Sequence, residues 1–335
     1  MKLNLSQIKS ITTGAVRIEE DADGFHLHRF TAEQQEIYKN RSQDYYEKTF
    51  GTSGIKMCFT TNSESLFLDV SVSRGSSRSY FAFDIFVNGK MFDSLDNYSD
   101  VKMPLEYQKE KYPQGEFSKE FRLPIGVKEV CIYFPWSVAA VVKELSVDDT
   151  AEITPNIPLK KMLCFGDSIT HGYDALHPSN KYITRFAEFL GAAEINKAIG
   201  GEVYFPGLAG AKEDFCPDYI CVAYGSNDWC YASKEGFVNN CTRFYENLNA
   251  NYGDVKTYVI TPIWRKDYLD EKALGDFKSV AEIIKQIVSK YKNVTVIDGF
   301  RLVEHNEKFF ADLRLHPNDD GFAQYFNNLI KQLKA

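Results

Sequence analysis

A change of hydrophobic rhythm near residue 159 constrains this chain more than any other feature of its sequence. From there onward, short apolar runs alternate with stretches whose apolar residues recur every three to four positions. KMLCFG (161–166), DYICVAYG (218–225), TYVIT (257–261) and VTVID (294–298) read as buried strands, with AEIN (193–196) as a shorter one. Between and after them, helical stripes are formed by Tyr182, Phe186, Phe189 and Leu190, then by Phe237, Cys241, Phe244, Tyr245 and Leu248. Val280, Ile283, Ile284, Ile287 and Val288 make a third, and Phe322, Tyr325, Phe326, Leu329, Ile330 and Leu333 a last one. Strands that alternate with amphipathic helices predict an α/β unit with a parallel sheet covered on both faces. In such sheets the reactive groups gather outside the carboxyl ends of the strands.

The first 150 residues have a different texture. SLFLDVSVS (65–73) alternates Leu66, Leu68, Val70 and Val72 with other residues, the period of a half-buried strand. Asn88-Gly89 sits between two apolar runs, and both residues tolerate the positive φ of a tight hairpin. FSKEFRLP, KEVCIYFP and AAVVKELSVDD add strands, and helical periodicity is scarce outside the polar segment 31–50. The expectation is an all-β sandwich over 1–150, a Pro-containing polar linker over 151–158, and the α/β domain over 159–335.

Net charge is −7, which argues against nucleic acid as a partner. If Met1 is the true start, no leader or membrane segment precedes the fold, so a cytoplasmic location without a membrane partner is expected. Seven cysteines without a CxxC pair read as free thiols in a reducing compartment, neither a disulfide frame nor a zinc site.

Four loop motifs follow the α/β pattern. GDSIT (166–170) places Ser168 on a strand-to-helix turn, next to helix N–H groups that favour developing negative charge. IGGE (199–202) brings paired glycines, whose backbone N–H groups can approach a ligand closely. GSND (225–228) sets Asn227 at the end of the second long buried strand, where its amide could donate to an oxyanion. LHPND (315–319) puts His316 in a loop ahead of the last helix, with Pro317 suited to a first turn. Each alone also reads as an ordinary turn or helix cap. The remaining histidines read as solvated or capping residues, and two of them, His171 and His177, lie near the serine turn.

In this order and on this pattern, the four blocks resemble the SGNH/GDSL hydrolase superfamily over roughly residues 159–335. The resemblance implies a flavodoxin-like three-layer domain in which Ser168 is nucleophile and His316 its general base. It implies an oxyanion hole from the backbone N–H groups of Ser168 and Gly201 and the side chain of Asn227, and no cofactor or metal. One position departs from the pattern. The family's orienting aspartate lies three residues before the histidine, where this chain has Leu313; Asp312 lies four before. Either a one-residue bulge brings Asp312 onto the imidazole, or a backbone carbonyl orients the ring and the site is a dyad.

A β-rich domain ahead of such a hydrolase is similar in layout to two-domain acetyl-xylan esterases, whose first domain is a jelly roll. That layout implies an acetyl ester on a sugar hydroxyl, with Trp229, Trp264 and Arg265 at strand ends as candidate sugar-binding groups and Tyr173 as a weaker one. Short non-sugar esters, lysophospholipids and thioesters are the alternative substrates, and an inactive carbohydrate-binding protein is the alternative to an enzyme. Serine chemistry of this kind needs no metal. Ester turnover is therefore expected to survive exhaustive EDTA treatment unchanged, and a loss restored by zinc would refute a metal-free site.

Overall fold

The computed structural model describes residues 1–334; Ala335, the end of the expected second domain, lies outside the described residues. The C-terminal sheet has five parallel strands. They are β1 (Lys160–Gly166), β2 (Ala192–Asn196), β3 (Tyr219–Ala223), β4 (Lys256–Ile260) and β5 (Val294–Ile297). Their spatial order is β2-β1-β3-β4-β5. Successive side chains of a strand point to opposite faces, and both faces of β1 are apolar. Met162 and Cys164 join a core with Tyr182, Phe186, Phe322, Tyr325 and Leu329, whereas Leu163 and Phe165 join one with Phe237, Phe244, Val280 and Ile284. The order reverses at β1, which has β2 on one side and β3 on the other, so the turns after β1 and β3 flank the switch point.

The N-terminal half packs two antiparallel sheets face to face. One runs Arg17–Asp21, Gly24–His28, Val138–Val147, Ser65–Arg74 and Gly115–Arg122; the other runs Thr12–Thr13, Lys56–Thr61, Lys128–Tyr133, Ala82–Val87 and Lys90–Asp96. Leu66, Leu68, Val70, Phe83, Ile85, Val130 and Ile132 are among the side chains filling the space between them. Asn88 and Gly89 take φ of 50° and 75°, as their hairpin requires.

Four expectations need correction. The half is not purely β: helices Leu5–Ile11, Ala32–Arg41 and Gln43–Lys48 belong to it. The first two are set by capping boxes, Asn4 with Gln7 and Thr31 with Gln34, which carry little apolar periodicity. The linker is also shorter than expected, because Ile153–Pro155 pairs with Lys56–Thr61 as an added edge strand. Nor do the halves hang on a hinge. Tyr80, Tyr98, Tyr107 and Trp136 of the sandwich share a core with Tyr173 and Tyr182, and Phe30 and Tyr38 share one with Phe165.

Fourth, Cys58 and Cys131 stand directly opposite on neighbouring strands and form a disulfide. Residues 73 positions apart carry no local signal of pairing, and the bond withdraws the support that seven thiols lent to a reducing compartment. Among the described residues no helix is long and apolar enough to cross a membrane. Thiol titration of the denatured, unreduced protein is expected to count five of the seven cysteines. A count of seven in freshly purified protein would contradict the pairing.

Candidate active site

Ser168 opens the short helix Ser168–His171 directly after β1. Asp167 caps that helix by accepting the N–H of Ile169 at 3.0 Å. Gly166 has to be glycine, since a Cβ there would stand 2.3 Å from the Thr170 hydroxyl. Burial of the Asp167 carboxyl pushes it up to about 6.

His316 reaches Ser168 from the loop before the helix Asp319–Lys334. Its Nε2 lies 2.8 Å from Ser168 Oγ, and its Nδ1 lies 2.8 Å from Asp312 Oδ2. With Nδ1–H donating to the carboxylate, Nε2 is left to accept the serine proton. The other Asp312 oxygen accepts the backbone N–H groups of Arg314, Leu315 and His316 at 3.0, 2.7 and 3.1 Å. The extra residue is absorbed by Leu313, which adopts φ of 55°. A bulge, rather than a dyad, is therefore what the loop builds. Arg314 turns away to Asp267.

Burial works against charging His316, but the hydrogen bond to Asp312 and the charges of Asp174 and Asp312 outweigh it, so its pKa is raised above the ordinary 6.5. The Asp312 carboxyl is held well below the usual range: its own burial raises it, and the bonds to His316 and the loop amides overcome that. Asp174, Asp312 and His316 bring three potential ligand atoms within 4.8 Å of one another. Those atoms face each other, and Arg78 occupies both oxygens of Asp174.

The glycine loop after β2 is shaped mainly from the sandwich side. Arg29, fully buried, donates Nη1 to the carbonyls of Asn196 and Ala198 at 2.7 and 3.2 Å. Lys48 Nζ donates to Gly200 O at 3.0 Å, and Tyr45 Oη to Gly201 O at 2.9 Å. In a trans peptide the C=O and the next N–H point in opposite directions. Lys48 holding the Gly200 carbonyl therefore turns the Gly201 N–H away from the sandwich. Gly201 has φ of +88°, and at Gly200 a Cβ would meet the Tyr173 hydroxyl at 2.3 Å. Among the described residues, no acceptor takes the N–H of Ser168 or Gly201. Asn227, in the helix Ser226–Tyr231 after β3, donates Nδ2 to Glu202 O at 2.9 Å and keeps a second N–H.

The three residues expected to bind sugar do something else. Trp229 is completely buried, donating to Gly275 O and packing its ring edge against Phe277. Trp264 is 7% exposed and stacks on His305. Arg265 grips Asp267 through both oxygens and lies over Trp229. All three support loops from below, because strand-end position specifies the end of the sheet but not which way a ring turns. Tyr173 is likewise buried, its ring 5.7 Å from that of His316. His171 is neutral and structural: burial drives its pKa well down, Nε2 donates to Trp136 O at 2.9 Å and Nδ1 accepts the Gly200 N–H at 3.3 Å. His177 pairs with Asp84 of the sandwich at 2.7 Å. Sequence reasoning missed Arg29, Tyr45 and Lys48, whose partners are backbone carbonyls more than 150 positions away for the glycine loop.

Fold and site together define an α/β acyl hydrolase with a serine–histidine–carboxylate relay at the switch point of its sheet. Residues 164–324 match the GDSL-like Lipase/Acylhydrolase family, so the chain carries a GDSL/SGNH acylhydrolase domain, and the protein is a carboxylic ester hydrolase. A comparison with curated proteins by sequence found no match. Among solved structures, the chain is similar to the salicylyl-acyltransferase SsfX3 from a tetracycline biosynthetic pathway. That likeness has 17% identity and a TM-score of 0.77, covering 97% of this chain and 94% of that one. It is also similar to the acetyl xylan esterase Est2A from the rumen bacterium Butyrivibrio proteoclasticus, with 15% identity, a TM-score of 0.63 and coverage of 100% and 98%. A family two carbohydrate esterase from Clostridium thermocellum in complex with cellohexaose matches at 15% identity and a TM-score of 0.60, covering 84% and 92%.

The imidazole of His316 is expected to titrate above pH 6.5 when followed by NMR. A midpoint below 6.5 would contradict the two-carboxylate environment.

Proposed function

We propose that the protein is a serine esterase that removes short acyl groups, acetyl foremost, from sugar hydroxyls through an acyl-enzyme. The observation that carries the reading is the 2.8 Å contact of His316 Nε2 with Ser168 Oγ, backed by Asp312 at 2.8 Å. In the first half-reaction Ser168 Oγ attacks the ester carbonyl while His316 takes its proton. The tetrahedral oxyanion receives the N–H groups of Ser168 and Gly201 and the second N–H of Asn227. These donors are fixed before the charge appears, which is why they lower the barrier more than water would. The intermediate collapses, the alcohol leaves with the proton from His316, and Ser168 keeps the acyl group. Water then repeats the sequence, giving up a proton to His316 and releasing the carboxylic acid and the free serine.

The sugar half of the proposal is supported by the two-part layout that the chain shares with carbohydrate esterases, not by Trp229, Trp264 or Arg265. A second reading has one specific support. The solved structure resembling this chain at a TM-score of 0.77 is by its name an acyltransferase. The same acyl-enzyme would serve transfer if an acceptor alcohol took the place of water.

A p-nitrophenyl acyl series, followed by acetylated oligosaccharides, separates these readings. Acetate is expected to be the best acyl group, and acetylated oligosaccharides are expected to exceed phenyl acetate in kcat/KM. Asn227→Ala is expected to lower kcat about 10²- to 10³-fold. Equal rates on long-chain esters would remove the short-acyl reading, and ester product in excess of acid with an added alcohol would favour transfer.

A further inference from the structure

The sandwich also reaches the base side of the site, through Asp174. This residue lies six positions after Ser168, takes φ of 72°, and its side chain is completely buried. Its Oδ1 accepts Arg78 Nε at 2.7 Å and the Tyr80 hydroxyl at 2.8 Å; its Oδ2 accepts Arg78 Nη2 at 3.0 Å. Tyr107 donates its hydroxyl to the Asp174 backbone carbonyl at 2.5 Å. Arg78, Tyr80 and Tyr107 all belong to the sandwich, so three of its residues fix one aspartate of the catalytic half in a backbone conformation that non-glycine residues seldom adopt. The relay of Ser168, His316 and Asp312 uses none of this. Yet Asp174 Oδ2 stands 3.6 Å from His316 Nδ1, on the nitrogen that Asp312 already holds.

We propose that Asp174 is a second carboxylate serving His316, a positioning residue that the sandwich sets beside the imidazole through Arg78 and Tyr80. The inference rests on the esterase reading for its catalytic consequence, but not for its electrostatic one. A 3.6 Å separation is too long for a hydrogen bond, so in the intact site Asp174 acts by charge, favouring the imidazolium formed when Ser168 gives up its proton. Arg78 opposes that charge. If Asp312 is lost, Nδ1–H can turn to the oxygen beside it, closing to an ordinary N–H···O distance of about 2.9 Å. The groups that face His316 are Asp312 on its own loop, Asp174 and the more distant Arg78, Asp167 beside the serine, and the hydroxyl-bearing Tyr173 and Ser168.

NMR titration of His316 in the full chain tests the electrostatic part without any need for turnover. Asp174→Asn keeps the shape and removes the charge, so the His316 midpoint is expected to fall; Arg78→Met removes the opposing cation, so the midpoint is expected to rise. The acid limb of kcat/KM should move with it, because only neutral imidazole accepts the serine proton. For the second part, Asp312→Ala is expected to lower kcat about 10- to 100-fold. Loss of the orienting carboxylate from a protease triad costs about 10⁴. Adding Asp174→Asn to Asp312→Ala is expected to cost at least about tenfold more than the product of the single effects. Thermal melts identify a variant that has not folded, and Arg78→Met then carries the titration test alone. An unchanged His316 midpoint in the folded variants, or a double variant no worse than the product of the singles, overturns the proposal. Wild-type protein without ester turnover would sink the esterase reading while leaving the titration decisive here.

Discussion

A guanidinium sealed between the two halves holds the carbonyls that shape the glycine loop. Among the described residues, no carboxylate forms an ion pair with Arg29. Its donors go to the backbone carbonyls of Lys48, Gly51, Asn196 and Ala198. Burial lowers its pKa to about 9, against the opposing charge of Glu194. A buried cation is tolerated only when its donors are satisfied, and here they are satisfied by both halves at once. Four carbonyls between Asn196 and Gly201 receive donors from the sandwich, counting Lys48 and Tyr45. Without the sandwich those carbonyls would have only water, and the loop would have nothing to fix the direction of its amides. The N-terminal half thus shapes the glycine loop after β2, whatever else its outer surface does.

The same dependence recurs at other points along the seam. His171 links the Trp136 carbonyl to the Gly200 amide, Asp174 links Arg78 to His316, and the Asp84 carboxylate holds both His177 and Ser179. In each case a polar group of one half is satisfied only by the other. Cutting the chain at Pro155 would leave these groups unpaired inside a cavity or exposed to water. Unsatisfied buried polar groups cost about 1–3 kcal/mol each. Two domains by texture are therefore one unit by hydrogen bonding.

Much of this was legible in the sequence, for physical reasons that also explain the gaps. The five strands and their helices were readable because burial on both faces of a parallel sheet leaves a rhythm of apolar residues. The serine, glycine, asparagine and histidine loops were readable because strand ends fix where such residues must lie. Leu313 could be placed only as a question, since a bulge is a choice of φ that leucine does not advertise. Arg29, Lys48 and Tyr45 carry no motif, because a side chain that binds carbonyls needs no complementary residue in sequence. Trp229 and Arg265 misled for the opposite reason: aromatic and cationic residues at strand ends look like ligands when their partners, Phe277 and Asp267, lie outside the motif.

The proposed esterase mechanism requires the hydroxyl of Ser168 to form a covalent acyl-enzyme. The most direct measurement is mass spectrometry of peptides from protein quenched in acid seconds after mixing with p-nitrophenyl acetate. One acetyl group is expected on the peptide containing Ser168, formed with the burst of nitrophenol and absent from Ser168→Ala. Acetyl on another residue, or turnover with no modified peptide in protein shown to release nitrophenol in a burst, would contradict it.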